Sequence, residues 1–167
     1  MVKINIIAAI DNNRAIGYQN KLLFHIDEDM KHFKQLTTGH TIVMGRRTFE
    51  SLPNGALPHR RNIVVSTTMK QRELAEGYSY HKQQGIEVFS NLTEALAACA
   101  NEDDIYIIGG EKIYQQAIAF AHRLYLTIID ASATNADAWF PPFDGWLLKE
   151  DSPRQGYSFR VYERVKR

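Results

Sequence analysis

A short segment at residues 41–51 has the side chains of an anion-binding site. It reads Thr-Ile-Val-Met-Gly-Arg-Arg-Thr-Phe-Glu-Ser, and its apolar run predicts a buried strand that ends at Gly45 and turns into a helix. The first turn of a helix offers unpaired N–H groups and a partial positive charge, to which Arg46, Arg47 and Thr48 add two charges and a hydroxyl. These groups favour a phosphate, such as that of a nucleotide. The same segment also fits an ordinary strand-to-helix turn whose arginines are solvated.

A second junction of this kind lies at residues 105–114, which read Ile-Tyr-Ile-Ile-Gly-Gly-Glu-Lys-Ile-Tyr. Gly109 and Gly110 permit a backbone shape that residues with a Cβ resist, directly between a predicted strand and a predicted helix. Two such junctions in one sheet would suit a ligand with several phosphates. The fingerprint Gly-x-Gly-x-x-Gly is absent, so an ordinary Rossmann dinucleotide site is not supported, and a simple tight turn is the alternative.

One acid falls among apolar residues of a helix predicted at 27–37. Asp29, Phe33 and Leu36 are spaced i, i+4 and i+7, which places a carboxyl group on the apolar face of that helix. Burial disfavours the charged form of a carboxyl group, so such an acid could carry a proton or bind a pair of N–H donors. Alternatively, Asp29 acts with Asp27 and Glu28 as an ordinary acid at the helix N-terminus.

The length of the chain indicates one domain, and its net charge is close to zero. The chain has 167 residues, a net charge of +1 and one cysteine, Cys99, which we expect to fill space in the core. The N-terminus does not read as a signal peptide, and no apolar run approaches 18 residues. We therefore predict a cytoplasmic protein with no nucleic-acid or membrane partner. The histidines lack metal-ligand spacing, so no metal site is expected.

Apolar runs alternate with helical patterns along the chain, which predicts a single α/β domain over residues 1–167. Continuous apolar runs at 4–10 and 105–108 suit central strands covered on both faces, whereas 157–165 alternates as an antiparallel or edge strand would. Residues 131–145 are predicted as a loop beside the sheet. Strands are predicted at 3–10, 41–44, 62–66, 87–89, 104–108, 123–130 and 157–165, and helices at 27–37, 46–51, 92–100 and 111–120.

Short segments over almost the whole chain carry a further signal: Ile-Ile-Ala-Ala-Ile-Asp at 6–11, Ala-Ile-Gly-Tyr at 15–18, Asp-Met-Lys-His-Phe-Lys at 29–34, Thr-Ile-Val-Met-Gly-Arg at 41–46, Leu-Pro at 57–58, Ile-Gly-Gly at 108–110 and Leu-Tyr-Leu-Thr at 124–127. In this order and spacing they closely resemble the dihydrofolate reductase family of bacterial type. The resemblance implies a mostly parallel eight-stranded sheet with an antiparallel C-terminal edge strand, flanked by about four helices. It implies NADPH-dependent reduction of 7,8-dihydrofolate to 5,6,7,8-tetrahydrofolate, with hydride transfer to C6 and protonation of N5. It also implies a monomer that binds antifolates such as trimethoprim and methotrexate.

The resemblance assigns the chemistry to an acid in a largely apolar pocket. Asp29 matches the family's only acid there, which pairs with the ring N–H and exocyclic amine of the pterin and assists proton delivery. Thr127 matches the threonine that hydrogen-bonds this acid. Arg60 matches the arginine that clamps the α-carboxylate of the glutamate tail, and we expect the neighbouring Arg61 to be solvated. The residues expected to line the folate pocket are Ile7, Leu22, Met30, Phe33, Leu52, Leu57 and Ile108.

The resemblance also implies where NADPH binds. Residues 11–23 match the family's mobile lid, whose closure would shield the nicotinamide from water. The residues expected near the nicotinamide are Ala9, Ile16 and Asn20. The residues expected around the bridging phosphates are Gly45, Arg46, Thr48, Gly109, Gly110, Glu111 and Lys112, with Tyr114 beside them. The residues expected to hold the adenosine 2′-phosphate, and so to favour NADPH over NADH, are Arg46, Arg47, Ser66 and Thr67.

One departure from the family lies just before the catalytic helix. The family's Leu-Pro-Trp is Leu22-Leu23-Phe24 here, so a rigid proline and an indole N–H are missing. We expect catalysis to survive, because the hydride donor, the acid and the arginine remain. Two alternatives stay open. One is a catalytically weakened NADPH- or folate-binding protein, which only the Leu23-Phe24 change favours. The other is a pyrimidine reductase of riboflavin synthesis, which would need neither Asp29 nor Arg60.

Overall fold

The computed structural model describes residues 1–19, 21–22, 24–69 and 85–165. Two predicted site residues, Asn20 and the side chain of Leu22, lie outside this description, as does Leu23. The strands within the described residues are β1 (Lys3–Ile10), β2 (Ala15–Tyr18), β3 (Lys21–Leu22), β4 (Thr41–Gly45), β5 (Arg61–Val65), β6 (Ile86–Phe89), β7 (Asp104–Gly109), β8 (Arg123–Ile129), β9 (Ala138–Trp139), β10 (Leu147–Pro153) and β11 (Tyr157–Glu163).

Eight of these strands form one sheet in the order β10-β11-β8-β1-β7-β4-β5-β6. The neighbours from β8 to β6 pair in parallel, and β11 pairs antiparallel with both β8 and β10. This arrangement confirms the predicted α/β class, the mostly parallel eight-stranded sheet and the antiparallel C-terminal strand. The sheet ends, however, at β10, which lies outside β11. That strand was not predicted, because its residues are exposed throughout and give no apolar alternation.

A smaller sheet, in the order β3-β2-β9, lies in two segments that were predicted as a lid and a loop. Within the loop at 131–145, β9 pairs antiparallel with β2, Ala15 lying opposite Trp139 and Gly17 opposite Ala138. Strands of two to four residues are too short to produce a periodic pattern in the sequence. The segment after β1 is therefore held by backbone pairing in this conformation.

The helices are α1 (Asp27–Thr37), α2 (Arg46–Ser51), α3 (Leu92–Ala97) and α4 (Glu111–Ala117), and residues 67–69 are also helical. The first two match their predicted bounds, whereas α3 and α4 end three residues early. Beyond each end the chain tightens into i→i+3 turns, since the Cys99 amide donates to the Leu96 carbonyl at 3.0 Å and the Phe120 amide to the Ala117 carbonyl at 2.9 Å.

The sheet separates two hydrophobic cores. Alternate residues of the central strands point to opposite faces, so Ile6 lies in one core and Ile7 in the other. The first core also contains residues of α3 and α4, and it encloses Cys99, which is fully buried as predicted. The second core receives Phe33 and Leu36 from α1 and Phe49 from α2. The helix that carries Asp29 therefore packs through its apolar stripe onto the second face of the sheet.

Arg61 is not solvated, contrary to the prediction. Its guanidinium donates to both carboxylate oxygens of Glu87, at 2.6 and 2.9 Å, and to Glu102 at 2.9 Å. These partners follow Arg61 by 26 and 41 residues, so no local pattern marks them. The group joins β5, β6 and the turn after α3, at the end of the sheet opposite to the glycine junctions. Arg61 is thus a structural residue.

Asp11, at the end of β1, anchors the two loops that carry β2 and β9. It is buried, and its carboxylate accepts three backbone amides, from Asn13 and Ala15 at 2.8 Å and from Ala133 at 2.7 Å. We expect Asp11→Ala to lower the free energy of unfolding by about 2–4 kcal/mol, because three amides lose a charged partner. Thermal or urea unfolding measures this loss. Asp130→Ala, which removes an exposed acid that accepts a hydrogen bond from the Asn12 side chain, serves as the control, and equal stability of the two variants would contradict the assignment.

Candidate active site

Asp29 and Thr127 meet on the second face of the sheet. Asp29 lies in the first turn of α1, and the Thr127 hydroxyl on β8 donates to its Oδ1 at 2.5 Å. Thr127 is buried and Asp29 is half-buried. Burial raises the pKa of the Asp29 carboxyl, and the hydrogen bond from Thr127 and the charge of His32 oppose this rise. The acid therefore keeps its proton to a higher pH than an exposed aspartate does.

Apolar side chains predicted to line the folate pocket lie on the same face of the sheet as this acid. Ile7 belongs to the second core, and Phe33, Leu52, Leu57 and Ile108 are partly buried against it. These five predicted pocket residues thus come from four separate parts of the chain and converge on one surface. Met30 differs from them, because it is exposed on α1 and is absent from both cores. The arrangement can hold a flat, apolar ring system with one polar edge directed at Asp29.

Arg60 lies near the other end of α1. Its Nη1 donates to the buried hydroxyl of Thr37 at 3.0 Å, and its Nε donates to the Pro58 carbonyl at 2.9 Å. Burial lowers the pKa of this guanidinium. The rise along a helix places residues 29 and 37 about 12 Å apart. The site therefore has an acid at one end and a positioned guanidinium at the other.

The two glycine junctions adjoin each other at the carboxyl ends of β4 and β7. Met44 pairs with Gly109, and a Cβ built on Gly45 would lie 3.2 Å from Ile113 of α4. Gly109 has a φ of +130°, which L side chains rarely adopt, and a Cβ there would lie 3.3 Å from both the Thr48 and Tyr114 hydroxyl oxygens. The peptide bond between Gly109 and Gly110 is cis. The two junctions therefore lie side by side, with glycine at positions 45, 109 and 110.

The polar residues predicted around these junctions differ in exposure and in their hydrogen-bond partners. Arg46 donates to Glu50 of the same helix at 3.2 Å, and Arg47 and Lys112 have exposed side chains. Ser66 follows β5, next to the end of β4, and its hydroxyl accepts the Met69 amide at 3.0 Å; Thr67 is exposed beside it. The carboxylate of Glu111 accepts the Trp139 amide at 2.7 Å and so holds β9. Tyr114 is buried and donates to the Ile7 carbonyl at 2.8 Å.

Two of the positions predicted near a nicotinamide lie on β1 and β2. Ala9 on β1 is opposite Thr127 on β8, and Ile16 on β2 is buried in the first core. Phe24, which replaces the family's tryptophan, is half-buried just before α1. Sequence reasoning missed Asp11, although an aspartate that accepts the amide two residues on is a recognisable turn signal. It also missed His32, whose ring stacks on Phe159 close to Asp29.

The described residues contain no group of three histidine, cysteine or acidic side chains that could hold a metal ion. Within the same ranges, no helix is both long and apolar enough to span a membrane.

Comparison with known proteins identifies the class of this fold and site. A family model described as dihydrofolate reductase matches residues 3–164. The chain is 37% identical to a dihydrofolate reductase of Bacillus subtilis, over 96% of this chain and 94% of that protein. It is 40% identical to the enzyme of Buchnera aphidicola from Acyrthosiphon pisum, over 98% and 100%, and 41% identical to the type 3 enzyme of Salmonella typhimurium, over 89% and 86%. The chain belongs to the dihydrofolate reductase family, a family of oxidoreductases that use a nicotinamide cofactor.

Proposed function

We propose that this chain reduces 7,8-dihydrofolate to 5,6,7,8-tetrahydrofolate with NADPH, by hydride transfer to C6 and protonation of N5. Dihydrofolate reduction and the nicotinamide cofactor follow from the family. The choice of NADPH, the route of the hydride and the roles of single residues are the proposal. The observation that carries it is the pairing of Asp29 with Thr127 beside an apolar surface, next to the glycine junctions.

The order of strands supports one extended cofactor. Ala9, Gly109, Gly45 and Ser66 lie at or near the carboxyl ends of β1, β7, β4 and β5, which are consecutive neighbours in the sheet. Strands are about 4.8 Å apart, so these positions span about 14 Å. We assign the nicotinamide to the β1 end, the bridging phosphates to the junctions at Gly45 and Gly109, and the adenosine 2′-phosphate to the β5 end. The nicotinamide then lies beside Asp29.

The substrate is assigned to the space between α1 and the second face of the sheet. The carboxylate of Asp29 would pair with the polar edge of the pterin and fix its orientation toward the nicotinamide. The same group would help a proton reach N5, which makes C6 more receptive to hydride. Arg60 would bind the α-carboxylate of the glutamate tail at the far end of α1. The apolar side chains between them would exclude water from the reacting rings.

The proposed reaction is tested by following the hydride. The purified chain is supplied with dihydrofolate and NADPH that carries two deuterium atoms at C4 of the nicotinamide. We expect tetrahydrofolate with one deuterium at C6, and a proton from solvent at N5. Release of the deuterium into water, or its appearance at another carbon, would overturn the proposed route.

Cofactor choice gives a separate prediction. We expect Arg47→Gln to raise KM for NADPH tenfold or more and to leave KM for NADH unchanged, because only NADPH carries the 2′-phosphate. Steady-state rates with both cofactors measure this effect. Arg123→Gln is the matched control, since Arg123 lies at the opposite end of the strands and pairs with Glu163. An equal rise of KM for NADPH and NADH would show that Arg47 does not recognise the 2′-phosphate.

Three further assignments belong to the proposal. We assign residues 1–167 to one dihydrofolate reductase domain, since the main sheet uses strands from both ends of the chain. A monomer and the binding of antifolates, trimethoprim and methotrexate among them, rest on the family resemblance. A cytoplasmic location rests on Cys99, a buried thiol without a second cysteine; burial raises its pKa to about 12.

A further inference from the structure

His32 and Asp29 of α1 contact two paired residues of neighbouring strands, Phe159 of β11 and Thr127 of β8. The two residues are spaced i, i+3 on α1, so their side chains lie on adjacent parts of one helix face. The His32 ring stacks on the ring of Phe159, with 4.3 Å between the centroids and 27° between the planes. Phe159 is buried on β11, where it is paired with Thr127 of β8. Thr127 also donates a hydrogen bond to Asp29. The paired strand residues Thr127 and Phe159 therefore contact Asp29 and His32 of α1, respectively.

Charged groups face His32 from both elements around it. Glu28 and Asp29 belong to its own helix, Arg154 lies in the connection between β10 and β11, and Tyr157 is the first residue of β11. Glu28 accepts the Tyr157 hydroxyl at 2.7 Å and the Nε of Arg154 at 3.1 and 3.2 Å. The guanidinium of Arg154 lies 5.3 Å from the Phe159 ring centre. Glu28 thus balances Arg154, whereas Asp29 forms no ion pair with a lysine or arginine of the described residues.

The ionisation of His32 depends on this setting. Among the described residues, no hydrogen bond reaches either nitrogen of its ring. Burial lowers the pKa of His32, the charge of Asp29 raises it, and Arg154 adds to the lowering. The pKa values of Asp29 and His32 are therefore displaced toward each other, and the charge of each group affects the pKa of the other.

We propose that His32 sets the protonation of Asp29, and that the two residues titrate as one coupled pair. An imidazolium at His32 favours the carboxylate of Asp29, so a proton taken up by either group weakens the binding of a proton by the other. His32 is in this account a positioning residue, since it acts on the reaction only through Asp29. Its importance for reduction rests on the proposed function, but its effect on Asp29 does not.

Reciprocal variants of the full chain test the pair. Nuclear magnetic resonance follows the Cε1–H signal of His32 and the side-chain carbon of Asp29 during a pH titration, without substrate or cofactor. We expect His32→Phe, which keeps a ring against Phe159, to raise the pKa of Asp29. We expect Asp29→Asn to lower the pKa of His32, because a neutral amide no longer favours the imidazolium. His25→Gln is the matched control, because His25 is an exposed histidine that lies just before the same helix and pairs with exposed Asp27.

The outcomes separate this inference from the proposed function. A raised pKa of Asp29 in His32→Phe and a lowered pKa of His32 in Asp29→Asn, with neither change in His25→Gln, support the coupled pair. An Asp29 pKa that is unchanged in both His32→Phe and His32→Gln would overturn it, provided that thermal unfolding shows both variants to be folded. In the turnover assay, the pH at which the rate falls should rise in His32→Phe. If the coupling is present but this pH does not change, His32 still sets Asp29, and the proposed role of Asp29 in proton delivery fails.

Discussion

Asp29→Asn should reduce the rate of dihydrofolate reduction at neutral pH by about 10²- to 10⁴-fold, the usual contribution of a positioned acid or base. Asparagine has nearly the same shape, and its oxygen can still accept the Thr127 hydroxyl, so the packing of α1 is preserved. What disappears is the group that orients the pterin and assists its protonation. Single-turnover kinetics of NADPH oxidation, over a range of pH, measure the loss without interference from product release.

The same variant should not be less stable than the original chain. Burial raises the pKa of Asp29, so the folded chain binds this proton more tightly than the unfolded chain does. Any stability gained from this proton is present at low pH and is lost as the pH rises through the folded pKa. Ionised Asp29 therefore opposes folding at neutral pH, where Asp29→Asn should raise the melting temperature or leave it unchanged.

Asp27→Asn is the control for the loss of activity, because Asp27 lies on the same turn of α1 and is exposed. Equal loss of activity in both variants would contradict a special role for Asp29.

Gly109→Ala should cost both stability and cofactor affinity. The residue has a φ of +130°, and a conformation of this kind costs about 1–3 kcal/mol for a residue with a Cβ. The added carbon would also lie 3.3 Å from the Thr48 and Tyr114 oxygens, so these groups must move. Both belong to the proposed phosphate site. We expect the dissociation constant for NADPH to rise tenfold or more, as measured by nucleotide titration of the folded variant.

The control for this substitution is Gly145→Ala. Gly145 also has a positive φ, +83°, but no atom of the described part of the chain lies within 4 Å of its Cβ position. It therefore reproduces much of the backbone cost without altering the junction between β4 and β7. We expect its NADPH affinity to match that of the original chain. Unchanged affinity in Gly109→Ala would mean that the glycine junction does not contact the cofactor.

The parts of the site that could be predicted have local signals. A strand, a glycine and a helix follow each other within ten residues at Gly45 and again at Gly109, and both junctions occur as predicted. The spacing of Asp29, Phe33 and Leu36 likewise placed the acid on the face of α1 that packs on the sheet. Thr127 had no such signal. A threonine in an apolar strand reads as ordinary packing, and only the family resemblance connected it to Asp29.

The features that were not predicted from the sequence depend on contacts between residues far apart in the chain. Arg61 looked like a solvated neighbour of Arg60, but the fold brings Glu87 and Glu102 to it. The small sheet is held by the carboxylate of Asp11, which joins the chain near 13–15 to Ala133 more than a hundred residues away. The stacking of His32 on Phe159 requires β11 to lie beside β8, which no periodicity in either segment indicates. Such pairings become visible only once the strand order is known.

The proposed reduction of dihydrofolate is measured most simply as the oxidation of NADPH by the purified chain, recorded with and without dihydrofolate and repeated with NADH. We expect rapid oxidation that requires dihydrofolate, yields tetrahydrofolate and is much slower with NADH. If NADPH binds but dihydrofolate causes no oxidation, the chain keeps the cofactor site without the reaction. The assignment of Asp29, Thr127 and the glycine junctions to one catalytic site would then be wrong.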